Sequence, residues 1–150
     1  MLQRIQTVFL LLSVVCMGLY LWFPLIAVES PTFNDVVQGW GVGISWVISD
    51  QPYIILINAI LTGSAIGLTL LNIFMFKKRS LQLLLCWFAL ILIASAAGFV
   101  FYKYQTKVFV GDVLLTPWNL LAAGAALLQL LAWYFIRKDE QLVKSLDRLR

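Results

Sequence analysis

The chain has 150 residues, 62% hydrophobic and 12% charged, with a net charge of +4 and no histidine. Soluble domains carry about 25% charged residues, so the composition excludes an ordinary soluble fold. The missing imidazole excludes histidine-ligated haem, most zinc chemistry and any triad that needs a histidine base.

Ile5–Val28, Gln51–Phe76, Ser80–Tyr102 and Val113–Ile136 carry no charge at all. Each exceeds the roughly 20 helical residues that cross a hydrocarbon core of about 30 Å. Within lipid, every backbone N–H and C=O must be satisfied inside its own segment, so such spans are helical. The expectation is an all-α integral membrane protein, a four-helix transmembrane bundle forming one domain over 1–150. Its spans fall at 5–26, 52–76, 81–102 and 117–136, followed by a cytoplasmic helical tail over 137–150.

The basic residues orient it. Arg4, then Lys77, Lys78 and Arg79, then Arg137, Lys138, Lys144, Arg148 and Arg150 fall on one side, and only Lys103 and Lys107 on the other. Positive residues accumulate on the cytoplasmic side, which predicts that both termini are cytoplasmic. The same scatter over short membrane-flanking segments argues against a nucleic-acid partner and for attraction to the lipid bilayer.

In chain order, the apolar run from Ile5 reads as an uncleaved first span, with Trp22 and Phe23 as interfacial aromatics at its outer end. In the long outer loop that follows, Trp40, Val42, Ile44, Trp46 and Ile48 alternate with smaller residues. A period of two argues for a strand. Trp40 and Trp46 either contact a partner or lipid, or simply cover the helix tops. The second span opens with Ser49 or Asp50 as cap and Pro52 in the first turn. Its Asn58, Thr62, Thr69 and Asn72 recur at helical spacing with Ala65. Such a stripe lines a polar path or, the reading preferred, packs inside a bundle. Gly63 and Gly67 make a G-x-x-x-G pair suited to close helix approach.

The third span carries Ala94-Ser95-Ala96-Ala97-Gly98, where Ala94 and Gly98 are a second expected packing face. Beyond it, Thr106–Val110 and Val113–Leu115 flank Gly111-Asp112 and read as a hairpin. Paired with the strand near Trp46, it would complete a small extracytoplasmic β-sheet from the two outer loops. The fourth span starts at Thr116-Pro117 and packs through Ala122 and Ala126, with Gln129 as its central polar side chain. In the tail, Leu142, Val143, Leu146 and Leu149 share one side, a face for lipid or a partner helix. Lys77, Lys78 and Arg79 in the cytoplasmic turn are candidates for the same contact. Cys16 and Cys86 lie within spans and read as small apolar packing residues.

No ionisable side chain sits within any span, and buried ionisable residues are how membrane active sites announce themselves. The chemistry therefore points away from an enzyme, lipid-modifying enzymes included, and calls for no cofactor and no metal.

The opening Met1-Leu2-Gln3-Arg4-Ile5-Gln6-Thr7, the central Lys78-Arg79-Ser80-Leu81-Gln82 with Leu85-Cys86, and the closing run from Lys138 to Arg150 carry a resemblance. The chain resembles a domain-of-unknown-function family of small four-helix membrane proteins from Bacteroidota. The resemblance covers the whole chain and implies the bacterial inner membrane, leaving activity open. Taken together, the expected role is a non-enzymatic accessory or scaffold protein of an inner-membrane assembly, with a membrane-protein partner or a homo-oligomer. The alternative is a small oligomeric transporter or pore built on the polar stripe of the second span.

Overall fold

A computed structural model describes residues 2–23, 26–29, 36–39, 52–75, 78–106, 112–115 and 117–147. Its elements in order are α1 (Leu2–Trp22), β1 (Ile26–Glu29), β2 (Val36–Gly39), α2 (Pro52–Phe74), α3 (Arg79–Gln105), β3 (Asp112–Leu115), a 3₁₀ turn (Pro117–Asn119) and α4 (Leu120–Asp147). Four helices are long and apolar enough to cross a membrane.

The buried residues fall on a single rule. On α1 they are Gln6, Leu10, Ser13, Met17 and Tyr20, and on α2 Asn58, Thr62, Ala65, Thr69 and Asn72. On α3 they are Gln82, Cys86, Ala89, Ile93, Ala96 and Val100, and on α4 Ala122, Ala125, Gln129, Ala132 and Ile136. Every helix steps alternately by three and four, a 3.5-residue period that keeps one seam turned to its neighbours along the whole length. The helices pack in the ring α1–α2–α3–α4–α1, with α1 against α4 the most extensive pair. Leu10, Cys86, Ala132 and Ile136 form one core cluster, and Met17, Ala65, Ile93 and Ala125 another. Numbers that rise along α1 and α3 while falling along α2 and α4 make each neighbouring pair antiparallel, an up-down-up-down bundle.

The distribution is inverted relative to a soluble protein. The core holds Gln6, Ser13, Asn58, Thr62, Thr69, Asn72, Gln82 and Gln129, while Val8, Val15, Ile60, Leu71, Leu84, Ile91 and Leu127 are exposed on the outside. Water would not tolerate so large an apolar surface, and lipid favours it. The distribution is consistent with a membrane bundle.

The chain between α2 and α3 is short enough to force a hairpin. The last carbonyls of a helix need partners, and Asn72 O receives the backbone N–H of Met75 at 3.2 Å and the Gln82 side-chain amide at 3.0 Å. Gln82 thus caps α2 from the first turns of α3.

At the opposite end of the bundle lies an antiparallel sheet of order β2-β1-β3. Ile26 pairs with Gly39 on one side and with Leu115 on the other. This is not the sheet expected from the sequence. The stretch 40–48 and the first arm of the 106–115 hairpin lie outside the described residues, and β3 pairs with β1. The reason is tertiary: β1 follows α1 and β3 leads into α4. Because those two helices are adjacent and antiparallel, they deliver the two strands side by side.

Core alanines set how closely the helices approach. Ala132 is fully buried against Leu10, Cys86 and Ile136. Ala132→Leu is therefore expected to overpack this layer and cost about 1–3 kcal/mol. Leu131→Ala, on the exposed side one residue away, should stay within about 0.5 kcal/mol of wild type. Reversible unfolding in mixed micelles measures both, and equal effects would show that Ala132 does not set the spacing.

Candidate functional site

The described residues offer two regions where polar chemistry concentrates: the interior of the bundle and the C-terminal end of α4. In the interior, the Ser13 hydroxyl donates to the Ala125 carbonyl at 3.2 Å, joining α1 to α4. The Gln6 amide donates to the Phe135 carbonyl at 3.2 Å. Thr69 turns its hydroxyl back onto the Ala65 carbonyl of its own helix at 2.8 Å, the usual solution for a threonine in an apolar helix. The Asn72 amide donates to Cys86 Sγ at 3.1 Å, joining α2 to α3. Asn58 Oδ1, Thr62 Oγ1, Asn72 Oδ1 and both amide atoms of Gln129 are buried without a protein partner. The polar stripe read from the α2 sequence thus faces the bundle interior.

At its C-terminal end, α4 runs on without a break to Asp147. Arg79 at the start of α3 holds it there. One guanidinium nitrogen lies 3.2 Å from the Asp139 carboxylate, and another donates to the Asp139 carbonyl at 3.2 Å. Ser80 donates to Glu140 at 3.1 Å. Arg137 lies over the Trp133 ring at 5.1 Å, and Trp133 meets Trp87 of α3 edge to face. Beyond this latch Leu142 and Val143 are exposed. Arg79, a candidate for contact with lipid or a partner, is paired with α4. The readable signal was a base just after the turn and an acid just past the fourth span, which an up-down bundle brings to one level.

The other singled-out residues divide clearly. Ala122 is buried, and Ala126 packs against the Met17–Ala125 cluster. Gly63, Ala94 and Gly98 are exposed and Gly67 is half-exposed. A Cβ added at Gly63, Gly67 or Gly98 would meet nothing within 4 Å. The close approach expected of these small residues therefore does not occur among the four helices, because the 3.5-residue seam runs through Ala65 and Ala96 instead. Lys78 is exposed and Leu142 stands free of the bundle. Leu146 lies within α4. Trp40, Trp46, Lys77 and Leu149 lie outside the described residues. Among the described residues no group of His, Cys, Asp and Glu could hold a metal ion.

A family profile described as a domain of unknown function, DUF4293, matches residues 2–149. The chain belongs to that family. No curated protein and no solved structure matches it.

The latch makes a testable claim about the tail. Partly exposed ion pairs contribute about 1 kcal/mol or less, enough to govern local opening. Arg79→Ala should speed trypsin cleavage after Lys138 several-fold while leaving the spans resistant. Asp139→Asn, which keeps the backbone carbonyl contact, should fall between. An unchanged rate for Arg79→Ala would mean that the tail is held by something else.

Proposed function

We propose that the protein is a non-enzymatic accessory or scaffold component of an inner-membrane assembly, with both termini cytoplasmic. The observation that carries this reading is a motif repeated on the outer surface of two neighbouring helices. Gly63-Ser64-Ala65-Ile66-Gly67 on α2 and Ala94-Ser95-Ala96-Ala97-Gly98 on α3 have the same layout. In each the central alanine is buried, the two residues before it are exposed, and the closing glycine is exposed or half-exposed. Ser64 donates to the Leu61 carbonyl and Ser95 to the Leu92 carbonyl, both at 2.8 Å, so the hydroxyls are satisfied within their own helices. Because Ala65 and Ile93 share a core cluster, the motifs lie within about one helical turn of the same level.

Surfaces of this kind allow another transmembrane helix to approach backbone to backbone, where dispersion and Cα–H···O contacts act. In lipid, small residues on an outward face gain nothing by themselves, since acyl chains contact leucine as well as glycine. The pore alternative needs the α2 stripe to line a lumen. That stripe is committed to a bundle interior crossed by Met17, Ala65, Ile93 and Ala125, each 2% exposed or less, which supports the scaffold reading over it.

The test exploits the open space at the glycines. Gly67→Ile and Gly98→Ile should leave insertion and thermal stability intact, or raise stability by about 0.5–1 kcal/mol through helix propensity. Both should reduce recovery of membrane partners after mild detergent extraction by roughly tenfold, which corresponds to about 1.4 kcal/mol. Full partner recovery with both substitutions would reject this face as the contact.

Orientation is tested separately. Cysteine placed at Ser30 should react with an impermeant thiol reagent on intact spheroplasts, and cysteine at Ser145 should not. The reverse pattern would place both termini outside.

A further inference from the structure

We infer that the core layer made by Ser13, Thr69, Ala89 and Gln129 binds an enclosed water molecule, held by the Gln129 amide as a fixed part of the bundle. The register defines the layer. The cluster holding Leu10, Cys86 and Ala132 lies on one side and that holding Met17, Ala65, Ile93 and Ala125 on the other. Between them each helix contributes one buried residue: Ser13, Thr69, Ala89 and Gln129.

Hydrogen-bonding capacity within the layer is unbalanced. Gln129 is fully buried, and its Nε2 and Oε1 both lack a protein partner. A glutamine amide supplies two donors and one acceptor oxygen. The Ser13 proton is committed to the Ala125 carbonyl and the Thr69 proton to the Ala65 carbonyl. Both hydroxyls therefore retain acceptor capacity only, and Ala89 offers nothing. Gln129 Nε2 has acceptors within its own layer, but Gln129 Oε1 has no donor there. On α2, the Asn72 side-chain amide donates to Cys86 Sγ.

A buried amide oxygen without a donor is strongly unfavourable in an apolar surround. The ligand that corrects the imbalance must be small, neutral and carry two donors. Water meets all three conditions: one O–H reaches Gln129 Oε1 and the other a hydroxyl oxygen of Ser13 or Thr69. An ammonium ion has the donors but brings a charge, and no acid lies within the spans to balance it. Two of the four residues of the layer, Ser13 and Ala89, have small side chains. Hydrophobic clusters lie on either side of the layer, so the water exchanges slowly.

The experiment is heteronuclear NMR of the full-length, perdeuterated protein in micelles, combined with a structure at a resolution that shows ordered water. The Gln129 side-chain amide, assigned by its loss in Gln129→Met, should show a cross-peak to a water resonance with a residence time longer than molecular tumbling. Electron density should show one solvent peak within hydrogen-bonding distance of Gln129 Oε1 and of Ser13 or Thr69. A protein donor on Gln129 Oε1, or an amide with no long-lived water cross-peak, overturns the inference. The electron density is read on the wild-type chain and decides the question even if Gln129→Met does not fold.

Discussion

The contact between α1 and α4 is the constraint on which the remaining architecture rests. These helices are the farthest apart in sequence, and they pack most extensively. Fully or nearly fully buried alanines at 122, 125 and 132 allow that approach. At one end Phe9 stacks on Phe135 at 5.4 Å, and at the other Phe23 stacks on Trp118 at 4.0 Å. Ser13 between the two stacks, and Gln6 beside the Phe9 stack, reach carbonyls of the partner helix. Closing this seam closes the ring of four, brings β1 beside β3, and sets the α4 extension against the start of α3. In lipid, burying apolar surface between helices gains little because the tails are equally apolar. The seam must therefore be held by close packing, aromatic stacking and side-chain bonds to backbone, and those are the contacts it contains.

The same constraint explains why the polar groups are inside. A side-chain amide or hydroxyl facing acyl chains has no partner, whereas one facing another helix can find a carbonyl or a second side chain. Asn72 to Cys86 and Gln82 to the Asn72 carbonyl show this between α2 and α3. Such bonds are worth about 0.6–2 kcal/mol each in membranes, and they fix which residues share a layer. Register is thereby specified by polar residues in a core that apolar residues alone would leave free to slide.

Much of this was legible in the chain. The charge-free runs mark the helices, and the spacing of Asn58, Thr62, Ala65, Thr69 and Asn72 marks the inward side of α2. What could not be read was which neighbour each small residue serves. Gly63 and Gly67 look the same whether they meet a helix of this bundle or of another protein, and only the seam at Ala65 decides. Strand pairing was hidden for a similar reason. The segment 112–115 has strand character locally, but its partner is chosen by the adjacency of α1 and α4, which no local pattern encodes. The Arg79–Asp139 pair joins residues 60 positions apart and depends on the same closure.

The unbroken course of α4 has a mechanical meaning. Its 28 residues make a rod of about 42 Å without a proline or glycine in the inner half to act as a hinge. The section that packs against α1 and the section that runs on to Asp147 are one continuous helix. Tilting or turning the C-terminal end therefore bears on the alanine seam itself, and a shift of that seam bears on the C-terminal end. The tail is thus a lever fixed to the bundle's central joint, with the Arg79 contact as its fulcrum.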